Sequence, residues 1–244
     1  MAEPNGTGNM TKRIVNELGK AIVTEQFSEN DPFPVEAELC RRYGASRTIV
    51  REAVKMLTAK GLLIPRQRVG TEIRPQEAWN LLDPDVLRWM LEREFSLDLL
   101  IDFTEIRMSI EPRAAGLAAH SATGPQRRAI KDAIDRMFAA EDGQDDPLEA
   151  DIAFHIAVLE SSNNQFMRQF TDLSETTLRF SIRRTNAYRG VSRASAIEHK
   201  RVADAIVNGH SAKASREMYD LIQGALDLLL SVNKYPPRPD LWPS

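Results

Sequence analysis

Apolar side chains in the first sixty residues return every three to four positions, the period of helices that bury one face. Ile14, Leu18 and Ile22, with Val15 and Ala21 beside them, predict an amphipathic helix over residues 11–26. The cluster SENDPFP (28–34) reads as a turn. Leu39, Cys40 and Tyr43 predict a short helix over 35–44 with an inward face. Gly44 closes it, because glycine readily takes the left-handed conformation that ends helices. Ser46 is placed to cap a second helix, in which Val50, Ala53, Val54 and Leu57 form one stripe and Gly61 is the stop. The pattern then changes to two short extended runs, 62–66 and 70–74, joined at Gln67-Arg68-Val69. Pro65 and Pro75 suit strand edges or ends, where a missing N–H is tolerated. Residues 11–75 therefore read as three helices followed by a β-hairpin.

Beyond residue 76 the strand signals vanish. Asp83-Pro84 supplies an N-cap and a proline at the first helical position, predicting a helix to about Arg93. Ser96 opens a long helix through Ala119, and Thr123 to Gln126 has capping-box spacing before the next, to about Glu141. Asp146-Pro147 with Glu149 begins another, to about Ser161, and further helical stretches follow at roughly 165–186, 193–208 and 211–232. The fold class is mainly α. A winged helix-turn-helix occupies 11–76, a linker helix 77–94, an all-helical domain 95–233, and a proline-rich tail 234–244.

An apolar fraction of 42% with 27% charged residues is that of a globular chain and excludes a disordered one. No apolar run is long enough for a membrane span, and the start MAEPNGTGNMTKR has no apolar stretch of the kind a secretory signal needs. Cys40 is the single cysteine, so no intramolecular disulfide can form. A cytoplasmic protein without a membrane partner is expected. The net charge of −3 conceals an asymmetry: residues 1–76 hold twelve basic and nine acidic side chains, while the remainder is acidic. Residues 39–74 carry nine basic side chains against only Glu52 and Glu72. A basic segment in an acidic chain points to one surface meant for a polyanion, although a solvated surface has the same composition.

Placement on the helix separates these readings. Arg47, Arg51 and Lys55 lie four apart, with Thr48 adjacent, on the face opposite Val50, Ala53, Val54 and Leu57. One face is packed; the other offers guanidinium groups for guanine or phosphate, and a hydroxyl for phosphate or a thymine methyl. With the helix before it and the tight Gly44 turn, this is a helix-turn-helix whose second helix reads double-stranded DNA. Arg66 and Arg68 in the hairpin could reach an adjacent minor groove or backbone. The run FPVEAELCRRYGASRTIVREAVKMLTAKGLLIPRQRVGTEI, with Pro34-x-Glu36-x-x-Leu39, Ser46-Arg47-Thr48-x-Val50-Arg51-Glu52-Ala53 and Gly70-Thr71, resembles the winged helix-turn-helix of the GntR family of bacterial repressors. The resemblance implies base and phosphate contacts at Arg47, Thr48 and Arg51, with a wing around Arg68 and Gly70. Ala37 stands where many members have arginine, and Val69 where the family often has glycine or arginine.

In the helical part, Asp151 and His155 are four apart and can converge on one ion; a simple Asp–His hydrogen bond uses the same spacing. His199 is beside a predicted buried side formed by Ile197, Val202 and Ile206, whereas His120 and His210 fall at helix ends and read as surface residues. The segments EIRMSIEPRAAGLAA, DIAFHIAVLESSNNQF and EHKRVADAIVNG resemble the all-helical FCD effector domain of the FadR branch of the same family. That resemblance implies a divalent metal ion (zinc, nickel or manganese) held by Asp151, His155 and His199, with Leu221 at the position of a third histidine. It also implies effector contacts at Arg107, where a guanidinium fork suits a carboxylate and a Glu111 ion pair is the competing role. Asn164 matches a further family position, with helix capping as its competing role. Arg184, in LRFSIRRTNAY, is on a helix that could face the pocket. WNLLDPDVLRWMLE (79–92) is similar to regulators of the galactonate-catabolism type, implying an aldonate-like effector. Trp79 and Trp89 in it would pack between the domains.

The chain lacks HExxH, GxSxG, a P-loop and a dinucleotide fingerprint, so no catalytic residue is assigned. The expectation is a homodimeric repressor of a sugar-acid operon, released from a pseudo-palindromic operator by a small hydroxy-carboxylate. The alternatives are a metal-dependent enzyme built on Asp151, His155 and His199, and a regulator answering to acyl-CoA.

Overall fold

The computed structural model describes residues 5–28, 32–66, 70–93, 96–188 and 195–232, with backbone alone at 5–8, 182–188 and 232. Two compact units divide it, Met1–Phe95 and Ser96–Ser244. The hairpin turn with Arg68, and the proline-rich tail, lie outside the described residues.

The first unit opens with α1 (Asn5–Val23), which begins earlier than its apolar period indicates because Gly6 and Gly8 carry no stripe of their own. Helix α2 (Glu36–Tyr43) ends at Gly44, whose φ of 59° and N–H bond to the Cys40 carbonyl make the left-handed stop. Helix α3 (Arg47–Ala59) follows after a short turn; the Ser46 hydroxyl accepts the Ile49 N–H at 3.4 Å. Strands β1 (Leu63–Arg66) and β2 (Gly70–Ile73) pair antiparallel, Leu63 opposite Ile73 and Arg66 opposite Gly70. Ile14, Leu18, Ile22, Leu39, Val50, Leu57 and Leu62 form one core.

Helix α4 (Pro84–Arg93) belongs to this same unit and packs on α1. Trp79 and Trp89, expected between domains, are buried in the first unit's core instead. Trp89 donates from Nε1 to Asn16 Oδ1 at 2.8 Å, and Trp79 donates to the Arg74 carbonyl at 2.9 Å. A buried indole needs a partner for its N–H, and both find one inside the module.

The second unit comprises α5 (Leu97–Ser121), α6 (Gly124–Glu141), α7 (Pro147–Ser161), α8 (Thr171–Tyr188), α9 (Ala196–Val207) and α10 (Ser211–Val232). The starts are set by the expected caps: Ser96 on α5, the reciprocal Thr123–Gln126 box on α6, and Asp146 on α7. The helix expected from 165 is preceded by a 3-10 turn, Met167–Phe170, because the Asn164 side chain accepts the N–H groups of Phe166 and Met167. Helix α7 contacts α5, α6 and α8, which is why it is apolar on nearly every side. On α9 the buried face is Ala196, His199, Val202, Ala203 and Ile206. Ile197 departs from expectation: it is 58% exposed, since it falls about 100° around the helix from Ala196.

Candidate functional site

On α3, Arg47, Thr48, Arg51 and Lys55 are all exposed, while Val50, Ala53 and Leu57 on the opposite face are buried. Arg51 Nε donates to Glu36 Oε2 at 2.9 Å, Lys55 Nζ to Glu52 Oε1 at 2.8 Å, and Arg66 Nε to Glu72 Oε2 at 3.1 Å. Such exposed pairs are worth little in water and exchange readily for phosphate. Gly70, exposed at the start of β2, has a φ of 113°, a conformation only glycine takes without strain.

A second cluster lies inside the helical unit. Asp151 and His155 are one turn apart on α7, and α9 brings His199 against them. One ligand atom from each lies within 4.8 Å of the others, and all three residues are buried. His199 Nε2 is 3.0 Å from Asp151 Oδ1, and His155 Nε2 is 4.0 Å from the same oxygen. Despite that approach, Asp151 Oδ1 and His199 Nε2 are each buried without a hydrogen-bond partner. The other ring nitrogen, His199 Nδ1, is 3.1 Å from the Ser195 carbonyl, an acceptor that calls for a proton on Nδ1. With Nε2 protonated as well, His199 and Asp151 form an ion pair; with Nε2 bare, its lone pair faces a carboxylate lone pair, an arrangement that a metal cation between them relieves. Phe154 sets the rings: its centroid is 5.5 Å from His155 and 5.0 Å from His199, edge-on to both.

Helix α5 supplies the other wall. Arg107 and Glu111 are buried and paired, Nε to Oε1 at 2.7 Å and Nη2 to Oε2 at 3.3 Å. His155 Nδ1 lies 2.6 Å from Glu111 Oε2. Burial pushes the Glu111 carboxyl up, but Arg107 and His155 outweigh it and hold the group at about 2. Burial likewise raises Asp151, and His199, His155 and Arg107 overcome it, keeping the carboxyl below its ordinary value.

The structure thus gathers Asp151, His155, His199 and Arg107 into one buried cluster. Asn164 is at the end of α7, where its side chain caps the following turn. Arg184 is on the α8 backbone, its side chain outside the described residues. His120 and His210 are exposed, and Leu221 is partly buried against the apolar core. Three contributors escaped the sequence reading: Glu111 as a partner of His155, Ser174, whose hydroxyl is 3.5 Å from Glu111 Oε1, and the Ser195 carbonyl. A usable signal for Glu111 existed, because Leu100, Thr104, Arg107, Glu111, Ala114, Ala115 and Ala118 are in phase on α5. A charge inside an apolar stripe needs a buried partner.

Comparison with known proteins adds independent findings. The family described as bacterial regulatory proteins, gntR family, matches residues 10–73, and the FCD domain matches residues 102–224. The galactonate operon transcriptional repressor of Escherichia coli is 36% identical over 201 residues, covering 82% of this chain and 88% of the relative. The transcriptional regulator LutR of Bacillus subtilis is 28% identical over 213 residues, covering 85% and 95%. A solved structure of Lar, which controls expression of the Listeria monocytogenes agr system, aligns with a TM-score of 0.58 at 14% identity, covering 91% and 97%. These relatives are regulators, and the metal-dependent enzyme considered from the sequence has no counterpart among them. No helix among the described residues is long and apolar enough to cross a membrane.

Proposed function

The chain belongs to the gntR family of bacterial regulatory proteins, with an FCD domain behind its winged module, and on that premise we propose that it represses a sugar-acid operon as a homodimer released by an aldonate-like effector. Arg47, Thr48, Arg51 and Lys55 present the reading face of α3 to the major groove, with Arg66, Arg68 and Gly70 in the wing against backbone or minor groove. Two copies would engage a pseudo-palindromic operator. Release requires that the effector bind one conformation of the helical domain better than the other.

The observation that carries the effector reading is the pair of orphaned buried atoms, Asp151 Oδ1 and His199 Nε2, facing each other at 3.0 Å. With His155 Nε2 they form a donor set of one carboxylate and two imidazoles, which fits a divalent ion without selecting zinc, nickel or manganese. Bound there, the ion supplies Lewis-acid positions for oxygen ligands. Arg107 places a guanidinium beside the donor set; Asn164, whose side chain also caps the turn after α7, and Arg184 are the further effector contacts of this proposal. Charge favours a monoacid. A divalent ion with ionised Asp151 and Glu111 and protonated Arg107 leaves one net positive charge, which one carboxylate neutralises.

The test is a thermal-shift panel of galactonate, gluconate, their diacid counterparts and fatty acyl-CoA, before and after EDTA treatment. It is paired with binding to operator sequences selected from a random duplex pool. A saturable shift for a monoacid, lost on chelation and matched by DNA release, is expected. A response to acyl-CoA alone, or an acid response indifferent to chelation, would overturn the effector or the metal reading respectively.

A further inference from the structure

We propose that Glu111 is a positioning residue that fixes His155 as an Nε2 metal ligand and holds Arg107 beside it, so that the cation-binding and anion-binding groups form one unit. This rests on the metal reading of Asp151, His155 and His199.

Glu111 is 1% exposed, and both of its oxygens are engaged. Oε1 accepts from Arg107 Nε at 2.7 Å and lies 3.5 Å from Ser174 Oγ. Oε2 accepts from His155 Nδ1 at 2.6 Å and from Arg107 Nη2 at 3.3 Å. An ionised carboxylate only accepts, so the proton of a neutral His155 must reside on Nδ1 and the lone pair on Nε2. Arg107 Nη2 does not claim that lone pair. It is 3.2 Å from Nδ1 and 3.3 Å from Nε2, and an atom nearly equidistant from two ring nitrogens lies along the lone-pair direction of neither. Nε2 therefore remains available toward Asp151, 4.0 Å away, too far for a hydrogen bond.

His199 has the same arrangement by different means, since the Ser195 carbonyl takes its Nδ1. Two histidines on two helices are thus set to offer the same nitrogen. Outer partners of this kind orient a ligand and raise its basicity. Glu111 has a second effect: its charge offsets the Arg107 guanidinium, which would otherwise stand uncompensated beside the dication. Binding of an acid at Arg107 consequently bears on the same carboxylate that orients His155.

The experiment uses the full chain, wild type and Glu111→Gln, with zinc competed against a chromophoric chelator, cobalt absorption, and histidine nitrogen NMR of the metal-free protein. The variant is expected to bind zinc about ten- to a hundredfold more weakly, with an altered cobalt spectrum. In metal-free wild type, His155 should show a single Nδ1–H tautomer, and this measurement needs no variant to fold. A purely structural role would lower the melting temperature of Glu111→Gln while leaving the zinc affinity of the folded fraction intact. That result, or an Nε2–H tautomer in wild type, overturns the proposal. Failure of wild type to bind zinc or cobalt overturns the metal reading and this extension together, whereas normal wild-type binding with an unaffected variant overturns the extension alone.

Discussion

Lys60, the residue that closes α3, donates from Nζ to both carboxylate oxygens of Asp83 at 2.8 Å, tying the end of α3 to the residue that starts α4. Asp85 adds a third contact at 2.9 Å. Burial pushes the Lys60 amine down, but the two carboxylates outweigh it and raise it above its ordinary value; Asp85 is raised by burial and lowered further by Lys60. The Lys60 and Asp83 side chains are 12% and 19% exposed, between the regimes of surface pairs and fully buried ones. Lys60→Met should therefore cost about 2 kcal/mol of stability in the first unit, measured by urea unfolding with tryptophan fluorescence at pH 7. The raised amine contributes fully below its ordinary value of 10.5 and loses its contribution as pH rises through the folded value. Wild type and variant should thus converge in strongly alkaline solution. Asp85 has the opposite sign, with its contribution present above 3.8 and lost as pH falls further.

The notch at Gly19 admits the Trp89 ring. An added Cβ there would lie 2.3 Å from Cη2 and Cζ3 of that ring, which is fully buried and pinned by its bond to Asn16. Gly19→Ala gains about 1 kcal/mol of helix propensity but overpacks a side chain with nowhere to go, a cost of about 1–3 kcal/mol. The clash should win, giving a net loss. In a Trp89→Leu background the same substitution should stabilise, because the obstacle is gone. Equal effects in both backgrounds would refute this packing account.

For operator binding, Arg47→Ala and Arg51→Ala should each weaken specific affinity by about 1–3 kcal/mol where a base is read, or lower the salt slope by about one where a phosphate is held. Titrations at several salt concentrations separate the two roles. The effector-induced thermal shift should be unchanged, because these side chains are exposed on the first unit. Unchanged affinity and slope in the double variant would remove α3 as the reading helix.

Most of this architecture is legible from local signals. The stripe of Val50, Ala53 and Leu57, the Ser46 cap and the Gly44 stop are all written within a dozen residues, so α3 and its exposed basic face follow directly. Asp151 and His155 are equally local, one helical turn apart. What the sequence withholds is tertiary. Glu111 meets His155, and His199 meets Asp151, only when α5 and α9 come against α7, whereas the Ser195 carbonyl, four residues before His199, is a local partner. The linker tryptophans carry the same lesson: their apolar mass requires burial, but only the notch at Gly19 and the acceptor on Asn16 direct Trp89 into the first unit.

Phe154 offers the last test, since it is fully buried and packs against both histidine rings, which also meet each other at 5.5 Å. Phe154→Ala removes a large ring from a packed core and should cost about 3–5 kcal/mol, a loss dominated by the cavity. Phe154→Leu should restore most of that stability, because an aliphatic side chain refills much of the volume, yet it cannot present an aromatic edge to either imidazole. Zinc affinity should therefore recover less completely than the unfolding free energy. Parallel urea unfolding and zinc titration of the two variants checks the separation. If affinity and stability recover in the same proportion, Phe154 fills space only, and the orientation of His155 and His199 comes from their Nδ1 partners alone.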